Sequence, residues 1–320
     1  MVSSSYTTSD RWATITKEFE ETLADWTPSW TRFARLLTEK TAALRMFSDQ
    51  PSAVLNTWNG ADSDTISTPS VGATHTQTLT LDGKAGGVHI RAMDLALQPN
   101  LVEQAVSRLY DSVTRTIESV VYTALEDTFS DTVDNGNGGT TAICSTGHEY
   151  YPIGYTSGGL SSQSNKVEAA LEVDALSSAF QLMQSFKSHK GVPAGYGVGP
   201  TALIVSPANA DLAHQLAKSS TSLTYTPDSE ALTYLGGARM NPRTLQGIDV
   251  VVSPYLTASN ANDWWLVDSA NTPVFVWMPF SPKIVIFDDY ANHATKITIS
   301  CFLKAGVQTP PGAIVGSFVS

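Results

Sequence analysis

The chain has few cysteines and few basic residues. Only two of its 320 residues are cysteines, Cys144 and Cys301, and they lie far apart in the sequence. Two thiols do not make a disulfide framework, so a reducing, intracellular origin is the default expectation. Lysine and arginine number 19 against 30 aspartates and glutamates, which gives a net charge of −11. This balance argues against a protein that wraps nucleic acid in a basic groove, because neutralising phosphates requires clustered cations.

Long apolar runs are also missing. Apolar runs such as 250–252 and 284–287 fall far short of a membrane span. The N-terminal residues lack the basic start and apolar centre of a signal peptide. We therefore expect a soluble protein made in a cytoplasm. Apolar residues make up 42% of the chain and charged residues only 15%, which is enough for a core and leaves a weakly charged exterior that suits burial against partners.

The sequence shows no pattern typical of a catalytic or metal site. There is no second histidine at a metal-binding interval, no GxSxG motif for a hydrolase nucleophile, and no glycine-rich loop with the lysine and hydroxyl that bind phosphate. We therefore predict no catalytic residue, no metal and no cofactor. The candidates set aside are His148-Glu149, the glycine-rich stretches 136–139 and 195–199, and the carboxylate pairs Asp62/Asp64 and Asp288/Asp289.

Residues 70–129 are the most informative part of the chain, and they begin with a predicted hairpin. Its arms are Thr74–Leu81 and Val88–Leu95, both rich in β-branched residues, and a glycine-rich turn at 82–87 joins them. The hairpin has little apolar surface of its own, and an isolated hairpin is marginal in water. We therefore expect it to lie on another copy of the chain. On this interpretation, deleting Thr74–Leu95 would leave the subunit folded but unable to assemble.

A long one-sided helix is predicted directly after the hairpin, over about 100–129. Asn100 followed three residues later by Glu103 predicts a capping box at its start. At about 1.5 Å per residue such a helix would be about 45 Å long, which is long for a domain of this size. Its predicted buried stripe, at three- and four-residue spacing, consists of Val102, Val106, Leu109, Val113, Ile117, Val120 and Ala124.

The segment before the hairpin predicts two helices. Apolar residues repeat at helical spacing over 11–26, Pro28 ends the pattern, and a second helix is predicted at Ser29–Phe47. Residues 1–9 are predicted to be a flexible arm and 48–73 a loop. Three tryptophans here could anchor either onto another subunit or onto the chain's own core, and the sequence leaves both open: Trp12, Trp26 and Trp30.

The second half of the chain predicts an irregular mixture of helices and strands. The polar, glycine-rich stretch Asp131–Gly139 is the best candidate for a boundary between halves. The order of elements beyond it is α+β, without the regular alternation of a parallel doubly wound sheet. Helices are predicted at 174–191 and 208–219, and strands at 202–206, 248–253, 264–267, 274–277, 284–287 and 296–303.

Several of these segments, in this order and spacing, resemble the major capsid proteins of tailed bacteriophages, most clearly the head proteins of Mu-like phages. The resemblance covers roughly residues 97–320. It is carried by Pro200–Pro207 with the Ala-rich helix that ends at Ser219, by Leu245–Leu256 followed by Asn262–Asp268, and by the closing segments 287–290, 296–303 and 310–315.

The resemblance implies the Hong Kong 97-type capsid fold, an α+β architecture. Residues 1–58 would form the N-terminal arm and 59–96 the extended β-hairpin loop. Residues 97–165 and 286–320 would form the peripheral domain with the long spine helix. Residues 166–285 would form the axial domain, which meets other copies around five- and sixfold axes.

The resemblance also implies a structural function in the virion. Hexamers and pentamers would close an icosahedral shell around packaged double-stranded DNA, after assembly in the host cytoplasm. Implied partners are identical subunits, a portal protein, a separate scaffolding protein and, in some relatives, a cement or decoration protein, with no membrane contact. An acidic wall would enclose DNA without binding it specifically.

Seven residues are expected at contacts between subunits: Trp12, Trp26, Trp30, Lys84, Arg91, Arg108 and Arg115. In some relatives a lysine of the extended loop is cross-linked to an asparagine of a neighbour. Lys84 lies near the predicted hairpin tip, but the sequence assigns it no partner. A tip lysine is also an ordinary protection against edge-to-edge aggregation.

Two alternative functions stay open at this point. An encapsulin-type nanocompartment would use the same fold to enclose cargo enzymes, and the contents of the particle would separate it from a virus shell. A soluble hydrolase with an unrecognised site would be a monomer with a deep polar cleft.

Overall fold

A computed structural model describes residues 8–41, 43–47, 76–98, 100–134, 139–150, 161–187, 191, 193–218, 247–256, 262–289, 292–307 and 311–318. The helices are α1 (Thr8–Ala24), α2 (Ala92–Leu97), α3 (Leu101–Glu126), α4 (Val173–Ser185) and α5 (Ala210–Lys218). The strands of the first half are β1 (Ala34–Leu37), β2 (Ala43–Phe47), β3 (Thr76–Thr80), β4 (Asp82–Arg91), β5 (Thr132–Asp134), β6 (Thr140–Ala142) and β7 (His148–Tyr150). Those of the second half are β8 (Ser161–Gln163), β9 (Lys166–Val167), β10 (Thr201–Val205), β11 (Ile248–Val252), β12 (Trp264–Asp268), β13 (Val274–Asp289), β14 (Ala294–Val307) and β15 (Ile314–Ser317).

The first sheet joins the two ends of the chain. Its strand order is β1-β13-β14-β4, so the long antiparallel hairpin of β13 and β14 lies between two strands from the N-terminal third. β1 pairs in parallel with the start of β13. β4 pairs antiparallel with β14 along its whole length, from Arg91 opposite Ala294 to Asp82 opposite Leu303.

The second sheet is the most deeply buried part of the molecule. Its order is β11-β10-β12-β15-β9, and every residue of β10 and β12 is buried. Successive side chains of a strand point to opposite faces of the sheet. Leu203 and Val205 therefore pack with α4 and α5, while Ala202 and Ile204 face the core around α3.

α3 forms the centre of the main core. Its buried face packs in one cluster with the inner faces of both sheets and with Ile15 and Phe19 of α1. At 26 residues it is about 39 Å long. The buried residues of α3 are Val102, Ala105, Val106, Leu109, Val113, Ile117, Val121, Tyr122 and Leu125.

Most of the predicted helices and strands are confirmed. α1, α3, α4 and α5 lie where helical spacing predicts them, and β10, β11, β12 and β14 lie close to the predicted bounds. Two predicted strands, at 274–277 and 284–287, are the two ends of a single strand, β13, whose register against β14 shifts between Trp277 and Lys283.

The predicted hairpin is wrong. The first arm, β3, pairs with β2, and the second segment, β4, pairs with β14. The glycine-rich stretch 82–87 is extended strand, not turn, and 92–97 is the short helix α2. Lys84 therefore lies within a sheet, opposite Cys301, instead of at a hairpin tip.

Two local predictions in the N-terminal half are also wrong. The segment Ser29–Phe47 forms a short 3₁₀ turn at Ser29–Arg32 and then β1 and β2, so it is not a helix. Asn100 does precede α3, but its side chain makes no capping hydrogen bond. Glu103 binds Arg11 of α1 in its place, with 2.7 Å between Oε1 and Nη2.

The predicted division into four domains stays a prediction, and sheet membership does not follow its bounds. β13 crosses the proposed boundary at 285/286, and β15, from the proposed peripheral segment, pairs with β12 of the proposed axial segment. The proposed boundary at Asp131–Gly139 contains β5, which pairs with β6. Residues 1–7 and the whole of the predicted loop 48–73, with the pair Asp62/Asp64 in it, lie outside the described residues.

Candidate assembly surface

An open groove of about 690 Å³ runs between the exposed side of α3 and the inner face of β4. It gathers three of the residues that the sequence places at subunit contacts: Lys84, Arg108 and Arg115. The remaining lining residues are Asp111, Ser112, Thr116, Ser119, Val120 and Tyr255. We call this surface the cationic groove.

Helical spacing places the two arginines on one side of α3. Arg108 and Arg115 are seven residues apart, so they lie on the same face with about 10.5 Å between their backbone positions. Both are exposed, since the opposite face of the helix is the one buried in the core. Lys84 reaches the groove because it lies on the face of β4 that also carries Val88 and Ile90, the face that packs toward α3.

The groove cations form no ion pair with another described residue. Six other lysines and arginines form ion pairs: Arg11–Glu103, Lys17–Glu21, Arg32–Asp249, Lys166–Glu168, Lys296–Asp289 and Lys304–Asp82. Within the described residues no carboxylate lies within ion-pair distance of Lys84, Arg108 or Arg115, although Asp111 lines the same groove. The groove is therefore a local excess of positive charge on a chain of net charge −11.

Buried polar contacts fix the wall of the groove at Tyr255. The ring of Tyr255 stacks on Tyr122 of α3, with 6.2 Å between centroids and 13° between planes. The hydroxyls of Tyr122 and Ser29 are 2.6 Å apart, and Glu118 accepts hydrogen bonds from the Ser29 N–H and Oγ–H at 2.9 and 2.8 Å. Burial, with the negative charge of Glu118, raises the pKa of Tyr122 to about 12, so the hydroxyl stays protonated.

The other four predicted contact residues lie elsewhere. Arg91 is exposed at the end of β4, outside the groove. Trp30 is 4% exposed and belongs to the chain's own core, and Trp12 and Trp26 pack against the same core while half-buried. The core interpretation of the tryptophans, left open by the sequence, therefore accounts for most of their surface. Trp30 has almost none left for a neighbour.

Sequence reasoning missed Tyr255, and no local pattern signals it. It lies on the loop that follows β11, more than a hundred residues from α3, and only the fold brings it to the groove. Asp111, Ser112, Thr116 and Ser119 were accessible in principle, because they continue the polar face of α3 on which the two arginines lie.

The catalytic candidates set aside from the sequence have structural partners. His148 is buried, and its Nε2 lies 2.9 Å from Asn165 Oδ1. Asp288 accepts a hydrogen bond from Thr295, and Asp289 pairs with Lys296. Across the described ranges, no three His, Cys, Asp or Glu side chains are grouped to hold a metal ion. Over the same residues, no helix combines the length and apolar composition needed to cross a membrane.

Comparison with known proteins gives the fold and the family. Residues 73–315 match the family model described as phage capsid protein. No curated protein sequence matches the chain.

Three of the solved structures that resemble the chain are shell proteins. The capsid of an empty GTA particle is 14% identical, with a TM-score of 0.54 over 92% of this chain and 91% of that one. The mature capsid of bacteriophage PhiM1 is 11% identical, with a TM-score of 0.54 over 92% of this chain and 88% of that one. The virus-like particle from Pyrococcus furiosus is 8% identical, with a TM-score of 0.52 over 97% of this chain and 100% of that one. These likenesses establish the fold, and the family match separates a phage shell from other uses of it.

The family model spans more than half of the chain, and the long helix α3 lies where the sequence predicts it. The chain therefore belongs to the phage capsid protein family, as a major capsid protein of the virion with the Hong Kong 97-type fold.

Proposed function

We propose that this chain forms hexamers and pentamers that close an icosahedral shell around packaged double-stranded DNA. The match of residues 73–315 to the phage capsid family carries this proposal. Closed shells need contacts between different patches of identical subunits, repeated in slightly different geometries. The cations of the groove, Arg108 and Arg115 on α3 and Lys84 on β4, supply one such patch.

The role of the chain in the shell is mechanical. It contributes packing surfaces and charge, and the proposed role involves no catalysis. The acidic net charge supports the idea that packaged DNA is enclosed without specific binding. A scaffolding protein that directs curvature and a portal protein at one vertex complete the proposed set of partners.

Electron microscopy of the purified chain tests the proposal, with light scattering to measure particle mass. We expect closed shells or rings of five and six subunits. Ultraviolet absorbance and nuclease protection of particles from infected cells would show double-stranded DNA inside. Particles filled with a folded cargo protein would instead favour the encapsulin-type alternative. A chain that remains a monomer, alone and in infected cells, would contradict assembly altogether.

A further inference from the structure

The partner of the cationic groove can be sought in the charge pattern of the chain itself. Identical copies that each carry a net charge of −11 repel one another, so a contact between them gains from any local pairing of opposite charges. The groove offers the positive side of such a pair through Arg108, Arg115 and Lys84. The occupant must offer carboxylates at matching spacing.

The exposed side of α1 and the residue after it carry such carboxylates. Glu18, Glu21 and Asp25 are exposed and lie on one side of the helix, and the Asp25 N–H continues the helical pattern by bonding to the Glu21 carbonyl at 3.1 Å. Glu21 also forms an exposed ion pair with Lys17 of the same helix, at 3.4 Å between Oε1 and Nζ. Glu18 and Asp25 are seven residues apart, the same spacing as Arg108 and Arg115, so each pair spans about 10.5 Å. We call these three residues the acidic stripe.

The acidic stripe cannot reach the groove of its own chain. α1 packs against α3 on the side of Glu103, Val106 and Tyr110, where Glu18 lines a separate cleft. The residues of α3 that line that cleft and those that line the cationic groove lie on average about 175° apart around the helix axis, at 100° per residue. Thus the stripe and the groove face different directions from the same subunit. A heterologous contact between two copies brings them together.

We propose that the cationic groove binds the acidic stripe of a second copy of this chain, as a head-to-tail contact that repeats around a ring. The inference rests on the proposed function, because it assigns a partner to a surface of the assembling subunit. The equal seven-residue spacing of the cations Arg108 and Arg115 and of the carboxylates Glu18 and Asp25 is the observation that favours this occupant. Head-to-tail contacts close into rings when the rotation between copies permits it.

Charge reversal tests the pairing. We expect R108E/R115E to lower the fraction of chain in rings and shells by at least about tenfold, because the contact then places like charges together. E18K/E21K/D25K should lower it similarly. A chain that carries all five substitutions should assemble again, because the charges are complementary in the reversed sense.

The matched control is K218E/K283E. It makes the same change in net charge as R108E/R115E, at two exposed lysines outside the groove, and should assemble like the wild type. Circular dichroism and the urea midpoint of dissociated subunits would show that all variants fold. Assembled fractions would be measured by sedimentation velocity at about 50 mM and about 0.5 M NaCl, where the higher salt should weaken the wild-type contact.

The outcomes are separable. Wild-type assembly with no loss in either reversed variant, or no recovery in the combined one, would overturn the pairing and leave the proposed function intact. A wild-type chain that stays monomeric would count against the proposed function and the pairing together. If R108E/R115E assembles normally but loses binding to a fluorescent double-stranded DNA oligonucleotide, the groove is a phosphate site and the pairing is wrong.

Discussion

Asn165 is completely buried, and its side-chain amide is fully hydrogen-bonded. Its Nδ2 donates to the Ile143 and Ile314 carbonyls at 2.9 and 3.1 Å, and its Oδ1 accepts from the Ser145 N–H at 2.9 Å. The Nε2 of His148 lies near two acceptors, Asn165 Oδ1 and the Ile143 carbonyl, so Nε2 is the nitrogen that carries the proton. One side chain thus holds the irregular segment before β7 against β15.

Replacing this residue tests the importance of these contacts. We expect Asn165→Ala to lower the free energy of unfolding by about 2–3 kcal/mol, because several buried donors and acceptors lose their partners together. Ser162→Ala, at an exposed position with a single long hydrogen bond of 3.4 Å, is the control and should change little. Urea unfolding of dissociated subunits gives both values. Equal urea midpoints for the two variants would show that water replaces the amide without loss of stability.

Both cysteines are buried and form no disulfide in the subunit. Burial raises the pKa of the Cys144 thiol to about 12, against hydrogen bonds from Thr128 and Gly316 that lower it, and burial also raises the pKa of Cys301. We expect neither thiol to react with a maleimide at pH 8 in the folded chain, since the thiolate is the nucleophile. Both should react in urea. Rapid labelling of the folded chain would contradict the burial.

The raised pKa of Cys144 also makes the stability of the folded subunit depend on pH. The unfolded thiol ionises near pH 9, whereas the folded one ionises near 12. The folded state therefore retains the proton over this range, and its contribution to stability is complete below pH 9 and lost as the pH rises toward 12. Between pH 8 and 10.5 the urea midpoint of the wild type should fall more steeply than that of Cys144→Ala. Parallel curves would assign the decline to other groups.

At the scale of elements, helices could be predicted from the sequence and strand partners could not. α3 and α4 follow from apolar spacing within a single segment, which is local information. Ser29–Phe47 also has apolar residues at nearly helical spacing, but β1 within it is fixed by parallel pairing with β13, some 240 residues later. Likewise 82–87 resembles a turn by its glycines, and only its pairing with β14 makes it a strand.

The residues of the cationic groove were likewise predictable only where local spacing determines their position. Arg108 and Arg115 could be placed on one exposed side from their spacing along α3. Lys84 was expected at a contact between subunits, but for a reason that the structure removes, namely a position at a hairpin tip. Its place beside α3 depends on β4 joining the sheet, which no local pattern signals.

Two adjacent glycines test the corrected position of β4. A Cβ at Gly87 would lie 2.9 Å from the Ile297 carbonyl oxygen of β14, whereas a Cβ at Gly86 meets nothing within 4 Å. We expect Gly87→Ala to cost about 1–3 kcal/mol of stability through overpacking against backbone. Gly86→Ala should be neutral. If the two variants unfold at the same urea concentration, this segment is not held against β14.

At the scale of the whole molecule, the segment expected to lie on another subunit is part of the subunit's own sheet. Ile90 is buried and packs in the main core, while its neighbour His89 faces the other side of the sheet and is exposed. The deletion of Thr74–Leu95 removes the edge strand that covers β14. The expectation from the sequence, a folded subunit that cannot assemble, therefore changes to loss of folding.

Point substitutions make this test sharper than a deletion. We expect Ile90→Asp to cost more than about 3 kcal/mol, because it buries a charge without a partner, and to leave the chain insoluble or unfolded. His89→Asp, one residue away, should fold like the wild type. The comparison is made by circular dichroism and by the soluble yield of each variant. A folded, soluble Ile90→Asp subunit would indicate that β4 is not part of the subunit's own core and lies on a neighbour, as the sequence predicted.

The pairing of β1 and β4 with the β13–β14 hairpin has a consequence during protein synthesis. The apolar face of α3 leaves the ribosome about 150 residues before the strands that cover it, so the first sheet cannot close until the chain is almost complete. We therefore expect a nascent chain to expose this apolar face during about half of its translation. A copy that terminates before β13 lacks two of the four strands of this sheet, and we expect such a copy to be excluded from the shell because it cannot fold.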